Sequence, residues 1–483
     1  MSRVLLVNPP RPRDGRYMDR SDRCESAVPD LMPPHTLCKV GGVLRDADGH
    51  DVGLLDLNAD SAPGDYSPLE RIVGRERFDF VVFRATPETF AFDLRTASIV
   101  KTNQSSAKTI LLCWNMTPIA ESIMRQNDEL DFYVTNDDYT EVIRALVCED
   151  KRLPGLVWRD GTVITRTQNK PISTHFSEYP MPAWDLISHN FRRFFVQLPV
   201  LHPWVPMETI EGCHLGCTFC VYADSFPKFR RPEDAIDEFV WLREHGVKYI
   251  SFFDATFNLN RKRAEDLCNE ILSRRAKSTW YANIRADFLD KDLVDLMARA
   301  GCEGVSCGVE SANPEILKNV HKEAQSPEVV EQATSWLKAA GLKTYYSFVI
   351  GLPGETKESI KKTTNYILKV RPNSLQINTY TPYPKTPLYA VAKEMGYEVG
   401  NNLVLYDACA ADFSLCELTP KELSDARMKM YDAFYGSSSW WLSNVKWTLQ
   451  HPKDIKIGVN YVYEIAKAKM GIKADHCGPY WVS

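Results

Sequence analysis

The chain has 483 residues, a length that favours two or three domains over one hydrophobic core. Its hydrophobic fraction of 44% and charged fraction of 25% are ordinary for a globular protein, and a formal net charge of -5 gives no basic surface for nucleic acid. Thirteen cysteines, no N-terminal signal pattern and no apolar run of about 18 residues together predict a cytoplasmic protein with reduced thiols and no transmembrane segment.

The first 170 residues alternate between strand-like and helix-like runs. Val4 to Val7 is an apolar strand that ends at Asn8-Pro9-Pro10, and a helix is predicted around Thr36 to Ala47. Further strands are expected at 51–57, 78–83, 109–113 and 132–134, with helices at 92–103, 119–126 and 141–148. This alternation predicts an α/β domain over residues 1–170, with a Rossmann-like, doubly wound parallel sheet.

Residues 171–204 are rich in proline, which predicts an extended linker. Over 205–390 the alternation resumes with a longer period, and strands are expected at 205–210, 249–253, 280–284, 304–307, 343–350 and 375–379. Six such units predict a partial (β/α)6 barrel, in which ligands bind at the C-terminal ends of the strands.

Residues 391–483 predict a small, mainly helical segment. Its aromatic run at 440–449 has three open interpretations: the packed face of a helical cap, a surface that lies on a membrane, or the wall of an apolar substrate pocket.

Cys213, Cys217 and Cys220 follow the first barrel strand at C-x3-C-x2-C spacing. A cubic four-iron cluster normally takes four cysteine thiolates, so three close cysteines leave one iron open for chemistry. The alternative is a structural zinc site, for which His214 would be a fourth ligand. Zinc pairs usually have C-x2-C spacing with a separate partner pair, whereas His214 lies between two of the thiols.

This spacing, with the aromatic Phe219 before the third cysteine, resembles the radical S-adenosylmethionine (SAM) superfamily. In that family SAM binds the open iron, and one electron cleaves a C–S bond to give a 5'-deoxyadenosyl radical. The resemblance implies a 4Fe–4S cluster on the three cysteines and SAM contacts from Phe219, Asp254, Arg285, Glu310 and Gly351. Arg285 suits bidentate capture of a carboxylate, and Glu310 suits the ribose hydroxyls.

The first third resembles the cobalamin-binding domain that precedes many radical SAM enzymes, on the stretches 4–10, 44–52, 156–161 and 180–185. Two turns depart from that family: Cys113-Trp114-Asn115-Met116 replaces Gly-Gly-x-His, and Thr135-Asn136-Asp137-Asp138 replaces Gly-Glu-Gly-Glu. A Rossmann-like domain without a cofactor therefore stays open. Lys385 stands where the family usually has glycine, and it either meets an anionic substrate or is solvated.

Together the resemblances imply a cobalamin-dependent radical SAM enzyme, of the branch that holds class B methyltransferases and anaerobic cyclases. The expected reaction is methylation of an unactivated carbon in a small-molecule or lipid substrate, with methyl delivered by methylcobalamin. The expected protein partner is an electron donor such as flavodoxin or ferredoxin, no nucleic-acid partner is expected, and peripheral contact with a membrane stays open. Two alternatives stay open: radical ring closure or oxidation of the anaerobic tetrapyrrole-cyclase type, and a non-catalytic corrinoid or iron–sulfur sensor.

Overall fold

The computed structural model describes residues 1–13, 17–20, 25–28, 31–86, 89–170, 172, 176–197, 200–201, 203–223, 225–276, 278–397 and 413–450. The aromatic run at 440–449 lies within these residues, and most of the predicted C-terminal segment after it lies outside them.

The N-terminal part is built around a seven-stranded sheet. Its elements in chain order are β1 (Arg3–Asn8), β2 (Tyr17–Arg20), β3 (Glu25–Val28), α1 (His35–Gly42), β4 (Asp51–Asp56), α2 (Leu57–Asp60), α3 (Ser67–Arg75), β5 (Phe80–Arg84), α4 (Phe90–Asp93), α5 (Arg95–Asn103), β6 (Lys108–Leu112), α6 (Ala120–Gln126), β7 (Phe132–Val134), α7 (Tyr139–Val147), β8 (Leu156–Asp160) and β9 (Val163–Arg166).

The strand order is β4-β1-β5-β6-β7-β8-β9, and the first five strands are parallel. Both faces are covered, since separate buried clusters pack on either side of the sheet. Strands buried on both faces need continuous apolar runs, and β5 is buried at every position. The predicted Rossmann-like sheet is confirmed. The sequence analysis did not assign α3 or the antiparallel pair β8–β9.

The second unit contains a six-stranded sheet. Its elements in chain order, after the short strands β10 (Val196–Gln197) and β11 (Val200–Leu201), are β12 (Trp204–Met207), β13 (Ile210–Glu211), β14 (Lys228–Phe229), α8 (Pro232–Glu244), β15 (Tyr249–Phe252), α9 (Arg261–Ser273), β16 (Thr279–Ile284), α10 (Lys291–Arg299), β17 (Cys302–Glu310), α11 (Pro314–Asn319), α12 (Pro327–Ala339), β18 (Lys343–Ile350), α13 (Lys357–Val370), β19 (Ser374–Thr379), α14 (Pro387–Glu394), α15 (Pro420–Tyr435) and α16 (Ser438–Gln450).

The strands of this sheet follow one another as β12-β15-β16-β17-β18-β19, and every neighbouring pair is parallel. The predicted partial barrel is therefore confirmed, and its C-terminal strand ends lie at one edge. The strand expected at 205–210 is interrupted. Its last residues form β13, which pairs with β14 as an antiparallel hairpin and encloses the cysteine-bearing segment.

The helix α15 covers the open edge of the barrel at β19. The hydroxyl of Tyr431 accepts a hydrogen bond from the Ile377 N–H at 2.7 Å, and Arg427 Nε donates to the Ile377 carbonyl at 2.7 Å. An edge strand otherwise leaves its backbone groups unpaired. The C-terminal part of the chain thus completes the barrel, and Trp440 of α16 is buried against it. This matches the helical-cap interpretation for the start of the aromatic run, whereas Leu442, Val445 and Leu449 are exposed.

A buried lysine joins the N-terminal domain to the barrel. Lys39 on α1 contacts Glu208 at 2.7 Å and Glu211 at 2.6 Å. An exposed pair, in which Arg45 contacts both carboxylate oxygens of Asp185, ties the N-terminal domain to the connecting segment. The Lys39 side chain is 5% exposed, so breaking its pairs would leave an uncompensated buried charge. None of the helices within the described ranges has the length and apolar character that crossing a membrane requires.

Glu355, in the turn after β18, makes the stability of this fold depend on pH. The side chain is buried and accepts a hydrogen bond from Ser359 Oγ at 2.5 Å, and burial raises the carboxyl pKa from 4.5 to about 7. The folded protein therefore binds an extra proton between these pH values. The contribution of Glu355 to the free energy of unfolding falls as pH rises from 4.5 to about 7 and is constant above that.

We expect Glu355→Gln to remove this dependence, because the amide is neutral and keeps a hydrogen-bond acceptor. The variant should gain up to about 3 kcal/mol over the wild type on going from pH 5 to pH 8, as measured by urea unfolding of the apoprotein. Glu358→Gln, on the exposed first turn of α13, is the control and should leave the wild-type profile unchanged. Parallel profiles for wild type and Glu355→Gln would contradict the assignment.

Candidate active site

The cysteine loop, residues 212–223, connects β13 to the segment before β14. Gly212 has φ 75°, and a Cβ there would lie 2.5 Å from the Phe226 carbonyl oxygen, so only glycine allows this close return of the chain. Thr218 ties the loop to the barrel, because its N–H donates to the Val320 carbonyl at 3.3 Å and its carbonyl accepts from the Leu388 N–H at 3.0 Å.

Asp254 fixes the strand that leads into this loop. Its carboxylate accepts hydrogen bonds from the N–H groups of Thr209 at 2.6 Å and Ile210 at 2.8 Å, and from the Thr209 hydroxyl at 2.5 Å. Burial raises the pKa of this carboxyl, and Arg263 and these donors oppose the shift. The side chain is completely buried and lines neither of the cavities described below. Asp254 thus has a structural role at the start of the loop and lies outside the cavity lining, and the SAM contact expected at this residue stays a prediction.

Glu310 and Lys322 form a buried pair at the end of β17. Lys322 Nζ donates to Glu310 Oε1 at 2.6 Å, and Glu310 has a left-handed backbone with φ 64°. Such strain in a residue other than glycine is concentrated at functional sites. Burial lowers the pKa of Lys322, but Glu310 and the nearby Cys217 outweigh it, so the net shift is upward and the ammonium is retained.

Gly308 makes room for this pair. A Cβ on Gly308 would lie 2.3 Å from Glu310 Oε1 and 3.0 Å from Lys322 Nζ, so the carboxylate folds across the bare backbone. The ammonium also lies 5.8 Å from the centre of the Phe219 ring.

These groups share a cavity of about 390 Å³ at the C-terminal edge of the barrel. Its walls include six of the predicted site residues, together with Lys322 and Cys307: Cys213, Cys217, Phe219, Cys220, Arg285 and Glu310. Within the described part of the chain, no three His, Cys, Asp or Glu side chains are close enough to hold a single metal ion. A cubic cluster binds each cysteine at a different iron, so its ligands lie further apart than those of one zinc ion.

Gly351 does not line this cavity. It ends β18 with φ 86°, and a Cβ there would lie 2.9 Å from Leu423 of α15. Glycine at this position serves the turn and the approach of α15, and the SAM contact expected from Gly351 stays a prediction.

A second cavity, of about 320 Å³, lies between the two sheets. It adjoins the first cavity, because Tyr222 and Ala255 line both. Its N-terminal wall includes Thr117, Asn136, Asp137 and Asp138, which follow β6 and β7.

Lys385 and Lys228 cross the interface beside the second cavity. Lys385 pairs with Asp137, and Lys228 pairs with Asp138. Lys385 thus pairs with a carboxylate of the N-terminal domain. The prediction from sequence was that its side chain either meets an anionic substrate or is solvated.

The sequence analysis missed Lys322, Gly308 and Cys307. Lys322 stands twelve residues beyond Glu310 in an ordinary polar stretch, so no local pattern distinguishes it. Gly308 is the first residue of the stretch 308–311 that follows the predicted fourth barrel strand, and the close approach of the Glu310 carboxylate explains why a glycine stands there.

Comparison with known proteins gives one family match and several relatives. Residues 207–367 match the profile of the radical SAM superfamily. The chain is 28% identical over 453 residues to an uncharacterized methyltransferase of Pyrococcus horikoshii, which spans 90% of this chain and 92% of that protein. It is 25% identical over 427 residues to an anaerobic magnesium-protoporphyrin IX monomethyl ester cyclase of Cereibacter sphaeroides, over 83% of this chain and 67% of the cyclase.

Among solved structures, the chain resembles the radical SAM methyltransferase TsrM from Kitasatospora setae, determined with cobalamin and a 4Fe–4S cluster bound. The TM-score is 0.65 at 18% identity, and the match covers 82% of this chain and 75% of TsrM. At this identity the likeness establishes the shared fold.

We expect Asp254→Asn to destabilise the cysteine loop, because the amide turns an N–H toward donors that need an acceptor. The free energy of unfolding should fall by about 2 kcal/mol, and the iron retained per chain after anaerobic reconstitution should fall with it. Asp292→Asn, on the exposed face of α10, is the control. Wild-type stability and iron content in Asp254→Asn would refute this role.

Proposed function

We propose that this chain, a radical SAM enzyme, is a cobalamin-dependent methyltransferase that methylates an unactivated carbon of a small-molecule or lipid substrate. The observation that carries the proposal is the junction of two cavities. The cavity that holds three cysteines, Arg285, Glu310 and Lys322 meets the interdomain cavity at Tyr222 and Ala255. Two cofactors bound there would face each other across that junction.

The residues of the first cavity fit a 4Fe–4S cluster and SAM. Cys213, Cys217 and Cys220 would hold three irons and leave the fourth for SAM. Glu310 would accept hydrogen bonds from the ribose hydroxyls, and Lys322 would neutralise a carboxylate at the same edge. Because the Glu310–Lys322 pair is buried and already formed, little reorganisation is needed when the nucleoside enters.

The interdomain cavity is where we place cobalamin. It lies beyond the carboxyl ends of parallel strands, where cofactors bind in open α/β sheets. Thr117 and Asn136 would contact the cofactor from the N-terminal domain, and Tyr222 from the cysteine loop. When bound, the cluster with SAM supplies a radical that removes a hydrogen atom, and cobalamin supplies the methyl group.

The protein's own task is to orient these groups and to exclude water. Tyr222 and Ala255, which line both cavities, are the residues shared by the two proposed cofactor sites. We propose that the electron comes from a small donor protein of the flavodoxin or ferredoxin class.

A radical cyclase reaction is the second candidate. The similarity to the Cereibacter sphaeroides cyclase favours it, since it covers 83% of this chain. Similarity to the Pyrococcus horikoshii methyltransferase favours methylation and extends over more of both proteins. Products distinguish the two, because methylation adds one methylene unit to the substrate mass and ring closure removes hydrogen.

The proposal predicts that anaerobically reconstituted protein cleaves SAM to 5'-deoxyadenosine. Cys217→Ala should abolish both the iron–sulfur absorbance and the cleavage, while Cys148→Ala, at an exposed cysteine, should retain both. A protein that binds zinc in place of iron, or holds a cluster without cleaving SAM, would refute the proposed function.

Cobalamin is tested separately by the corrinoid absorbance of protein purified from a corrinoid-supplied host. Thr117→Trp fills the wall of the second cavity and should abolish corrinoid binding while the cluster absorbance stays. Thr102→Trp, on the exposed surface of α5, is the matched control. Corrinoid-free wild-type protein with an intact cluster would exclude cobalamin and leave the cluster chemistry standing.

Gly308→Ala should weaken SAM binding by about tenfold or more, because the new methyl group displaces Glu310 and Lys322. Binding is measured by calorimetry on the reconstituted protein with its cluster oxidised. Gly53→Ala, where the nearest side-chain atom is 3.8 Å away, should bind SAM like the wild type. Unchanged affinity in Gly308→Ala would remove the pair from the SAM site.

A further inference from the structure

Arg285 is not free for the bidentate carboxylate contact expected from the sequence. Its Nε donates to Asp287 Oδ1 at 2.8 Å, and its Nη2 donates to Asp287 Oδ2 at 2.9 Å. These two bonds occupy the edge of the planar guanidinium that binds carboxylates bidentately. Asp287, a carboxylate of this same chain, therefore fills the bidentate position.

The position of Arg285 is fixed on several sides. Its backbone N–H donates to Asn258 Oδ1 at 3.0 Å, and its carbonyl accepts from Asn258 Nδ2 at 2.9 Å. The guanidinium carbon lies 5.5 Å from the centre of the Phe288 ring. The Arg285 and Asp287 side chains are 9% and 11% exposed, so the ion pair is largely shielded from solvent.

The remaining nitrogen, Nη1, points at the cysteine loop and lies 3.9 Å from Cys217 Sγ. We propose that Arg285 is a positioning residue whose Nη1 donates to the cluster-bound sulfur of Cys217 and raises the reduction potential of the cluster, with Asp287 holding the guanidinium in place. This inference rests on the proposed function, because it requires the cluster.

The direction of the effect follows from charge. The reduced cluster carries one more negative charge than the oxidised cluster, and hydrogen bonds to the sulfurs stabilise the reduced form. A guanidinium in a shielded site acts on that charge more strongly than one in water. Lys322 is also near Cys217, and both cations are paired with an acid, Lys322 with Glu310 and Arg285 with Asp287. Arg285 differs because its Nη1 lies within hydrogen-bond reach of the Cys217 sulfur, at 3.9 Å.

The test is a potentiometric titration of the reconstituted cluster with dithionite, followed by electron paramagnetic resonance in the absence of SAM. Arg285→Gln should retain wild-type iron and sulfide content and show a more negative midpoint potential. Arg285→Lys keeps the positive charge, but a lysine cannot pair with Asp287 and reach the Cys217 sulfur at the same time. Its midpoint potential should therefore also become more negative, by less than in Arg285→Gln. Arg274→Gln is the control, because Arg274 pairs with Asp237 and Glu270 where α9 ends, away from the strand ends.

A midpoint potential in Arg285→Gln equal to that of the wild type would overturn the inference. If the same variant also bound SAM more weakly, Arg285 would instead be assigned to SAM binding. Should Arg285→Gln lose its cluster, Arg285→Lys decides: a more negative potential supports the inference and a wild-type potential overturns it. Failure of the proposed function is distinguishable, because it is read from the 5'-deoxyadenosine that the wild-type protein forms and not from the midpoint potential of its cluster.

Discussion

The buried carboxylate of Asp254 is the interaction on which the site depends. It stands at the end of β15 and accepts two backbone N–H groups and one hydroxyl from Thr209 and Ile210 on the neighbouring strand. Arg263 contacts the same segment from α9. The first barrel strand is thereby broken at a defined residue and redirected into the hairpin that carries the cysteines. Because this carboxylate has no exposure to solvent, the loop's starting point is set by the barrel core.

The cations of the site are each held by an acid of this chain. Arg285 is held by Asp287, Lys322 by Glu310, and the interdomain lysines by Asp137 and Asp138. Buried charges require such partners, because an isolated ion is costly in a low dielectric. The pairs differ in what they leave available. Asp287 takes two nitrogens of a guanidinium and leaves the third toward Cys217, whereas Lys322 and Glu310 present both charges at the cavity wall.

The N-terminal domain contributes charged side chains to its interface with the barrel. At the turn after β7, where the cobalamin-binding domains that this sequence resembles usually carry glycines, this chain has Asp137 and Asp138. Both carboxylates pair with lysines of the barrel, one of which, Lys385, also stands in place of a glycine. The acidic turn and Lys385 therefore pair with each other across the interface. Asp137, Asp138 and Lys385 form part of the wall of the second cavity.

The sequence by itself determined the layered architecture, the six barrel strands and the loop that brings three thiols together. These features are local: apolar runs set the strands, a proline begins the helix 232–244 and a Thr356 cap begins the helix 357–370, and the cysteines lie within eight residues. Only the tertiary structure decided which side chains face the cavity. Asp254 and Gly351 follow the right strands, yet one turns into the core and the other meets α15. Lys322 lies on an unremarkable stretch, yet it reaches Glu310, because contacts between distant segments depend on strand register and packing and not on any local pattern.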